Sequence, residues 1–179
     1  MVTDLFERYK VEPSDIHEHL QFMHDVCIEV DAQTVVELGV RSGVSTSAFL
    51  AAMEHTGGVV WSCDINQPRV DPIIRDHPQW EFVWGDDLQL ACDAPDADVV
   101  FIDTSHAYLQ TLAELNAFSG KARSVILLHD TQLEQPEGCG PQPPFPVRKA
   151  CFEWLNDNPE WSWHEFANCY GLGVMRRMP

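Results

Sequence analysis

The sequence predicts an α/β fold: a mostly parallel sheet covered by helices on both faces. Three observations carry this. Short apolar runs alternate with helix-like segments along most of the 179 residues, as in a sheet whose crossovers are helical. Successive runs end in Gly or Asp, at Gly39, Asp64, Gly85-Asp86-Asp87, Asp103 and His129-Asp130. The last two β-like runs are joined by a short turn, which makes one terminal strand antiparallel.

Taken in order, Ser14 follows Pro13 and can cap a helix, with Ile16, Leu20, Met23 and Cys27 on one helical face. Thr34 to Gly39 reads as a buried strand, Val44 to Glu54 as a helix broken by Gly57-Gly58, and Val59 to Cys63 as a second strand reaching Asp64. Pro68 to Asp76 reads as helical only if Pro72 lies in its first turn. Trp80 to Trp84 is a third strand and Asp98 to Ile102 a fourth. Tyr108, Leu112 and Leu115 mark a helix ending near Gly120, and Ser124 to Leu128 is a fifth strand. Five prolines and two glycines between Gln132 and Pro146 predict a long loop, read either as a lid or as a plain connection. Pro146 then opens a helix through Leu155. Trp161 to Phe166 and Leu172 to Arg176 are the closing strands around the turn at Asn168 to Gly171. The expected organisation is a single domain over 1–179, with an N-terminal helical extension over 1–30 and the candidate lid at 132–146.

Composition narrows the function classes. A hydrophobic content of 45% with six tryptophans suits a folded chain with a core. No apolar run approaches the length of about 20 residues that spans a bilayer, and Met1-Val-Thr-Asp-Leu-Phe-Glu7 lacks the features of a signal peptide. The expected location is therefore cytoplasmic. The six cysteines include no C-x-x-C pair, which argues against structural zinc. A net charge of -17 repels nucleic acid and anionic membranes. The excess of acid serves solubility or, at particular carboxylates, the holding of a divalent cation.

Gly39 lets the chain turn sharply and a ligand approach the backbone. The helix that follows offers free N–H groups and a positive dipole end. Gly39 and Gly43 enclose Val40, Arg41 and Ser42, so the middle glycine of the dinucleotide fingerprint is missing. That weakens a nicotinamide reading, and a purely structural turn remains the alternative. Asp64, 25 residues beyond Gly39, stands where a carboxylate accepts from both ribose hydroxyls. Its other reading is an Asp that starts a helix before Pro68. Asp86 or Asp87 can accept from an adenine amino group.

The second feature is Asp98-Val-Val-Phe-Ile-Asp103-Thr-Ser-His106 together with Val125-Ile-Leu-Leu-His129-Asp130-Thr131. Asp103 and Asp130 end neighbouring strands and can share one hard cation with substrate oxygens. His106, beside them, is a candidate general base. Alternatively Asp103 or Ser105 only caps a helix and His129 only fills space. His17, His19 and His24 fall on an expected surface helix without a role, and His55, His77 and His164 lack supporting neighbours.

Val36-Glu37-Leu38-Gly39-Val40-Arg41-Ser42-Gly43-Val44-Ser45-Thr46 resembles the first motif of class I S-adenosylmethionine-dependent methyltransferases, and Asp64 is similar to their ribose-binding acid. Gly171-Leu-Gly-Val174 resembles part of their antiparallel final strand. The resemblance covers roughly residues 30 to 179. It implies a three-layer Rossmann-like sheet of seven strands in the order 3-2-1-4-5-7-6. It also assigns Glu37, Gly39, Gly43, Ser45, Asp64, Asp86 and Asp87 to S-adenosyl-L-methionine. The two Asp/His motifs resemble a narrower group, the macrocin and mycinamicin sugar O-methyltransferases and the cephalosporin hydroxylase-like proteins. This implies magnesium on Asp103 and Asp130, with His106 as base. The chain departs at His129, where the sugar-methylating members carry a carboxylate. A nitrogen there suits magnesium poorly and leaves manganese, zinc, iron or no metal open.

The expected function is O-methylation of a small hydroxylated molecule, with Asp103 and His106 catalytic and Asp130 and His129 as further metal ligands. The rivals are a metal-dependent hydrolase or hydroxylase and a non-catalytic nucleotide-binding module. The expected partner is a small-molecule substrate, not nucleic acid or membrane. An N-terminal helix outside the sheet also offers a surface for a homodimer.

Overall fold

A computed structural model describes residues 1–179 and shows a seven-stranded sheet in the order β3-β2-β1-β4-β5-β7-β6. The strands are β1 Thr34–Leu38, β2 Val59–Asp64, β3 Trp80–Trp84, β4 Ala97–Ile102, β5 Ala122–His129, β6 Trp161–Phe166 and β7 Leu172–Arg177. The first five pair in parallel, whereas β7 runs antiparallel to both β5 and β6. The order and the reversed strand are those the resemblance implies. Strand order turns back between β1 and β4, and a crevice opens outside the carboxyl ends of the strands at such a point.

Seven helices accompany the sheet: α1 Val2–Tyr9, α2 Leu20–Glu29, α3 Val44–Thr56, α4 Pro72–Arg75, α5 Asp87–Leu90, α6 Tyr108–Phe118 and α7 Pro146–Asp157. Two apolar layers follow, one per face of the sheet. On one face Leu5, Phe6, Met23 and Phe49 pack with Val35 and Phe101. On the other, Leu115, Phe118 and Trp154 pack with Val36, Val100 and Ile126. Adjacent residues of one strand thus serve opposite layers, as Val35 and Val36 show, because side chains alternate across a sheet.

The face Ile16, Leu20, Met23 and Cys27 is buried as expected. Ser14 does not cap that helix, which begins through a 3-10 turn at His17–His19. Pro72 does lie in a first turn, but the helix is only Pro72–Arg75 and is capped by Asp71. Helix α5 is unexpected, and α1 falls within the helical extension expected over 1–30, in which no separate helix is expected before Ser14. The spacing of Val2, Leu5, Phe6 and Tyr9 carries the signal for α1: the first three are buried and Tyr9 packs against the same core. No helix is long and apolar enough to cross a membrane.

Candidate active site

The site begins where β1 ends. Gly39 has φ +91, and a Cβ there would overlap the backbone carbonyl of Asp103 on the neighbouring strand. Only glycine lets the two strand ends pass this closely while the chain adopts a left-handed turn. Arg41 is also left-handed, at φ +50. Asp64 then knits the turn to β2. Its Oδ2 accepts from the Val40 and Arg41 amides at 2.9 and 3.1 Å, and its Oδ1 from the Asn66 amide at 2.8 Å. No helix starts at Asp64, so its helix-initiating reading does not hold.

Gly39, Ser45, Asp64, Asp86 and Asp87 line one crevice of 660 Å³. Two of the expected cofactor residues do not. Gly43 sits behind the turn, where a Cβ would press on Val70 and Ile74. Glu37 is fully buried beneath the start of α3. It accepts from the hydroxyls of Ser45 at 2.6 Å, Thr46 at 2.9 Å and Ser62 at 2.6 Å, while the Trp80 indole N–H donates to Ser62 at 2.9 Å. The pleat explains this placement: Glu37 is an interior position of β1, one residue short of the strand's end. Burial pushes its pKa up to about 7 against the pull of these hydroxyls.

Asp86 caps α5, accepting from the Gln89 amide at 3.1 Å. Asp87 lies lower in the crevice, 6% exposed, and its Oδ2 has no partner. Beside it Glu114 accepts from Thr104 at 2.5 Å and Gln110 at 2.9 Å, while its second oxygen is also unpartnered. Burial, then the charge of Asp87, push Glu114 up to about 8. Two buried carboxyls side by side cannot both ionise readily, so the pair keeps a proton near neutrality.

Farther along the same crevice are Asp103, Thr104, Ser105 and His106. The His106 Nε2 lies 2.9 Å from Asp103 Oδ1 and 3.0 Å from Asp130 Oδ2. His129, 1% exposed, places its Nδ1 3.4 and 3.3 Å from the same two oxygens. Its Nε2 faces the backbone carbonyls of Asp15 at 3.1 Å and Cys169 at 3.2 Å. Asp103, Asp130 and His129 form a set of donors able to hold a metal ion. Asp103 and His106 face the crevice, while Asp130 and His129 lie beneath. His106 and Asp130 both take left-handed backbone, φ +58 and +60, a strain that tends to persist where function holds it.

The charges here are coupled. Burial alone would raise Asp103 and Asp130, but the two imidazoles hold both below the usual carboxylate range. Burial alone would lower the histidines, but the carboxylates push His106 up to about 10 and His129 up to about 11. Neither Asp103 nor Ser105 caps α6: its N-cap is Ala107, and Gln142 from the 132–146 loop accepts from the Tyr108 amide at 3.0 Å.

Three features escaped the sequence. Arg41 donates to both Asp15 carboxylate oxygens at 2.7 Å, tying the N-terminal segment over the glycine turn. His19 is buried, not on a surface helix. Its Nε2 lies 3.0 Å from the Asn168 carbonyl, and its ring lies edge-on to His129 at 6.0 Å. Gln142 reaches the site across 34 residues. Nothing in the local sequence pairs these groups; an unassigned Arg in the glycine turn was the one available hint.

The family model described as a methyltransferase domain matches residues 36–131, more than half of the chain. The chain belongs to this methyltransferase-domain family. The match runs from the glycine turn through Asp64 to the Asp103 and Asp130 motifs. Solved structures share the fold of this methyltransferase domain. MycE methyltransferase of the mycinamycin biosynthetic pathway, in complex with Mg, SAH and mycinamycin VI, aligns over 99% of this chain and 54% of its own, at 16% identity and a TM-score of 0.73. SAH-bound PaMTH1 of Podospora anserina aligns over 99% and 88%, at 14% identity and 0.64. The O-methyltransferase of Bacillus cereus in complex with SAH aligns over 98% and 88%, at 15% identity and 0.67. No curated protein sequence matches the chain.

Proposed function

We propose that this methyltransferase domain transfers a methyl group from S-adenosylmethionine to an oxygen of a small hydroxylated molecule, assisted by a divalent cation. The observation that carries the reading is the single crevice of 660 Å³ running from the glycine turn and Asp64 to Asp103 and His106. A cofactor and an acceptor would lie end to end in it. The residues fit an adenosyl group. The Asp64 carboxylate accepts three amides and keeps room to accept from a ribose hydroxyl, and Asp86 or Asp87 on the crevice wall can accept from an adenine amino group. Ser45 lines the crevice directly, while Glu37 and Gly43 support the turn from behind.

Bound S-adenosylmethionine supplies a sulfonium methyl; its transfer breaks a carbon–sulfur bond, forms a carbon–oxygen bond and frees the acceptor's proton. His106 stands at the acceptor end of the crevice to receive that proton. Asp103 and Asp130, with His129 behind them, would hold the cation, which would polarise the acceptor oxygen and draw off the carboxylate charge that keeps His106 protonated. Holding two partners in line supplies much of such a rate. The 132–146 loop, joined to the start of α6 through Gln142, is the lid of this reading. The protein is proposed to act as a single domain in the cytoplasm.

The deciding experiment is equilibrium dialysis with S-adenosylhomocysteine. Saturable one-to-one binding supports the methyltransferase reading. No binding favours the rival hydrolase or hydroxylase, which would use the Asp/His cluster alone. Binding without turnover on any hydroxylated acceptor favours the non-catalytic module.

A further inference from the structure

We infer that His129 makes the cation site select a nitrogen-tolerant transition ion over magnesium, with zinc(II) and cobalt(II) held more tightly than manganese(II), and manganese(II) more tightly than magnesium. The inference rests on the proposed cation site and is independent of the cofactor. A carbonyl oxygen only accepts hydrogen bonds, so the two carbonyls facing the His129 Nε2 place a hydrogen on that nitrogen. Loading of an ion would displace the Nδ1 proton and turn that lone pair to the ion between Asp103 and Asp130. A backbone carbonyl on the far nitrogen is the usual support of a ligating histidine, because it fixes both tautomer and ring orientation. Here that support is built in. The Cys169 carbonyl comes from a β6–β7 turn with Cys169 and Tyr170 both left-handed, at φ +48 and +63.

The separations agree with shared coordination. The His129 Nδ1 stands 3.4 and 3.3 Å from the two carboxylate oxygens, longer than the roughly 2.7–2.9 Å of a charge-assisted N–H···O bond. Donors bound to one ion at about 2.0–2.2 Å lie roughly 2.9–3.5 Å from their neighbours. The ring is also 1% exposed and cannot turn its nitrogen to solvent. Two carboxylates and one imidazole form a donor set suited to borderline ions, whereas magnesium seeks oxygen alone in a near-octahedral shell.

The test uses the full chain, stripped of metal and dialysed against Zn²⁺, Co²⁺, Mn²⁺ or Mg²⁺, singly and in competition, with bound metal measured by elemental analysis. One Zn²⁺ or Co²⁺ per chain is expected, held at least about 100-fold more tightly than Mg²⁺, with Co²⁺ showing ligand-field absorption that signals nitrogen coordination. His129→Asp should bring the Zn²⁺/Mg²⁺ ratio down by about tenfold or more, and an unchanged ratio in a folded variant overturns the inference. Should that variant fail to fold, the wild-type ratio decides alone. Equal affinity for Mg²⁺ and Zn²⁺, or no stoichiometric ion of any kind, also overturns it. S-adenosylhomocysteine binding measured on the same samples separates the readings: cofactor bound without metal defeats this inference and the cation's part in the proposal but leaves methyl transfer standing, and metal bound without cofactor defeats only the methyltransferase proposal.

Discussion

At the residue scale, Asp64 serves two ends at once. Its carboxylate accepts three backbone amides that shape the glycine turn, and in the proposed complex it also meets the ribose. Asp64→Ala should therefore weaken S-adenosylhomocysteine binding by roughly 100-fold, the worth of one hydrogen bond to a charged group, as read by calorimetry. His106→Ala should lower turnover by at least about 100-fold and leave that binding within about twofold; retained turnover would remove the base assignment. Glu37 gives a pH test of folding. Its ordinary pKa of 4.5 becomes about 7 in the folded chain. Between these values the folded form keeps a proton that the unfolded chain has lost, so its contribution falls as pH rises from 4.5 to 7. Urea unfolding at pH 5, 6 and 7 should show a shallower decline for Glu37→Gln than for the wild type. Parallel declines would mean that Glu37 is ionised throughout.

At the element scale, the regular pieces were legible because their period is local. Strands β1 to β5 are short apolar runs with punctuated ends, and α2 shows its buried face at spacings of three and four. What was not legible depends on contacts far apart in sequence. The start of α6 is satisfied by Gln142, from a loop that composition marks only as irregular. Cys139 of the same loop touches the Ser105 carbonyl at 2.9 Å. Gln142→Ala should cost about 1 kcal/mol of stability, as loss of a cap does. If the loop orders the acceptor end, it should also raise the KM for the acceptor while sparing S-adenosylhomocysteine affinity. An unchanged KM would reduce the loop to a connection.

At the scale of the whole molecule, the net charge of -17 sets a background of self-repulsion in the compact state. Raising NaCl from about 0.02 to about 0.2 M shortens the screening length from roughly 20 to 7 Å and should raise the thermal midpoint by a few degrees. A fall would mean that ion pairs such as Arg41–Asp15 and Arg176–Glu29 outweigh the repulsion.

Legible in the chain alone are the fold class, the glycine turn, Asp64 and the Asp103, His106 and Asp130 motif. Each is a short-range pattern: an apolar run, a turn residue, an acid at a strand end. Which of these face the crevice was set by folding. It moved Glu37 and Gly43 behind the turn, separated a capping Asp86 from an Asp87 packed against Glu114, and brought Asp15 to Arg41 and His19 to His129 from far along the chain. The physical reason is that a side chain's role depends on burial and on acceptors supplied by distant backbone. His129 is the clearest case: two carbonyls, 114 and 40 residues away, set which of its nitrogens is free.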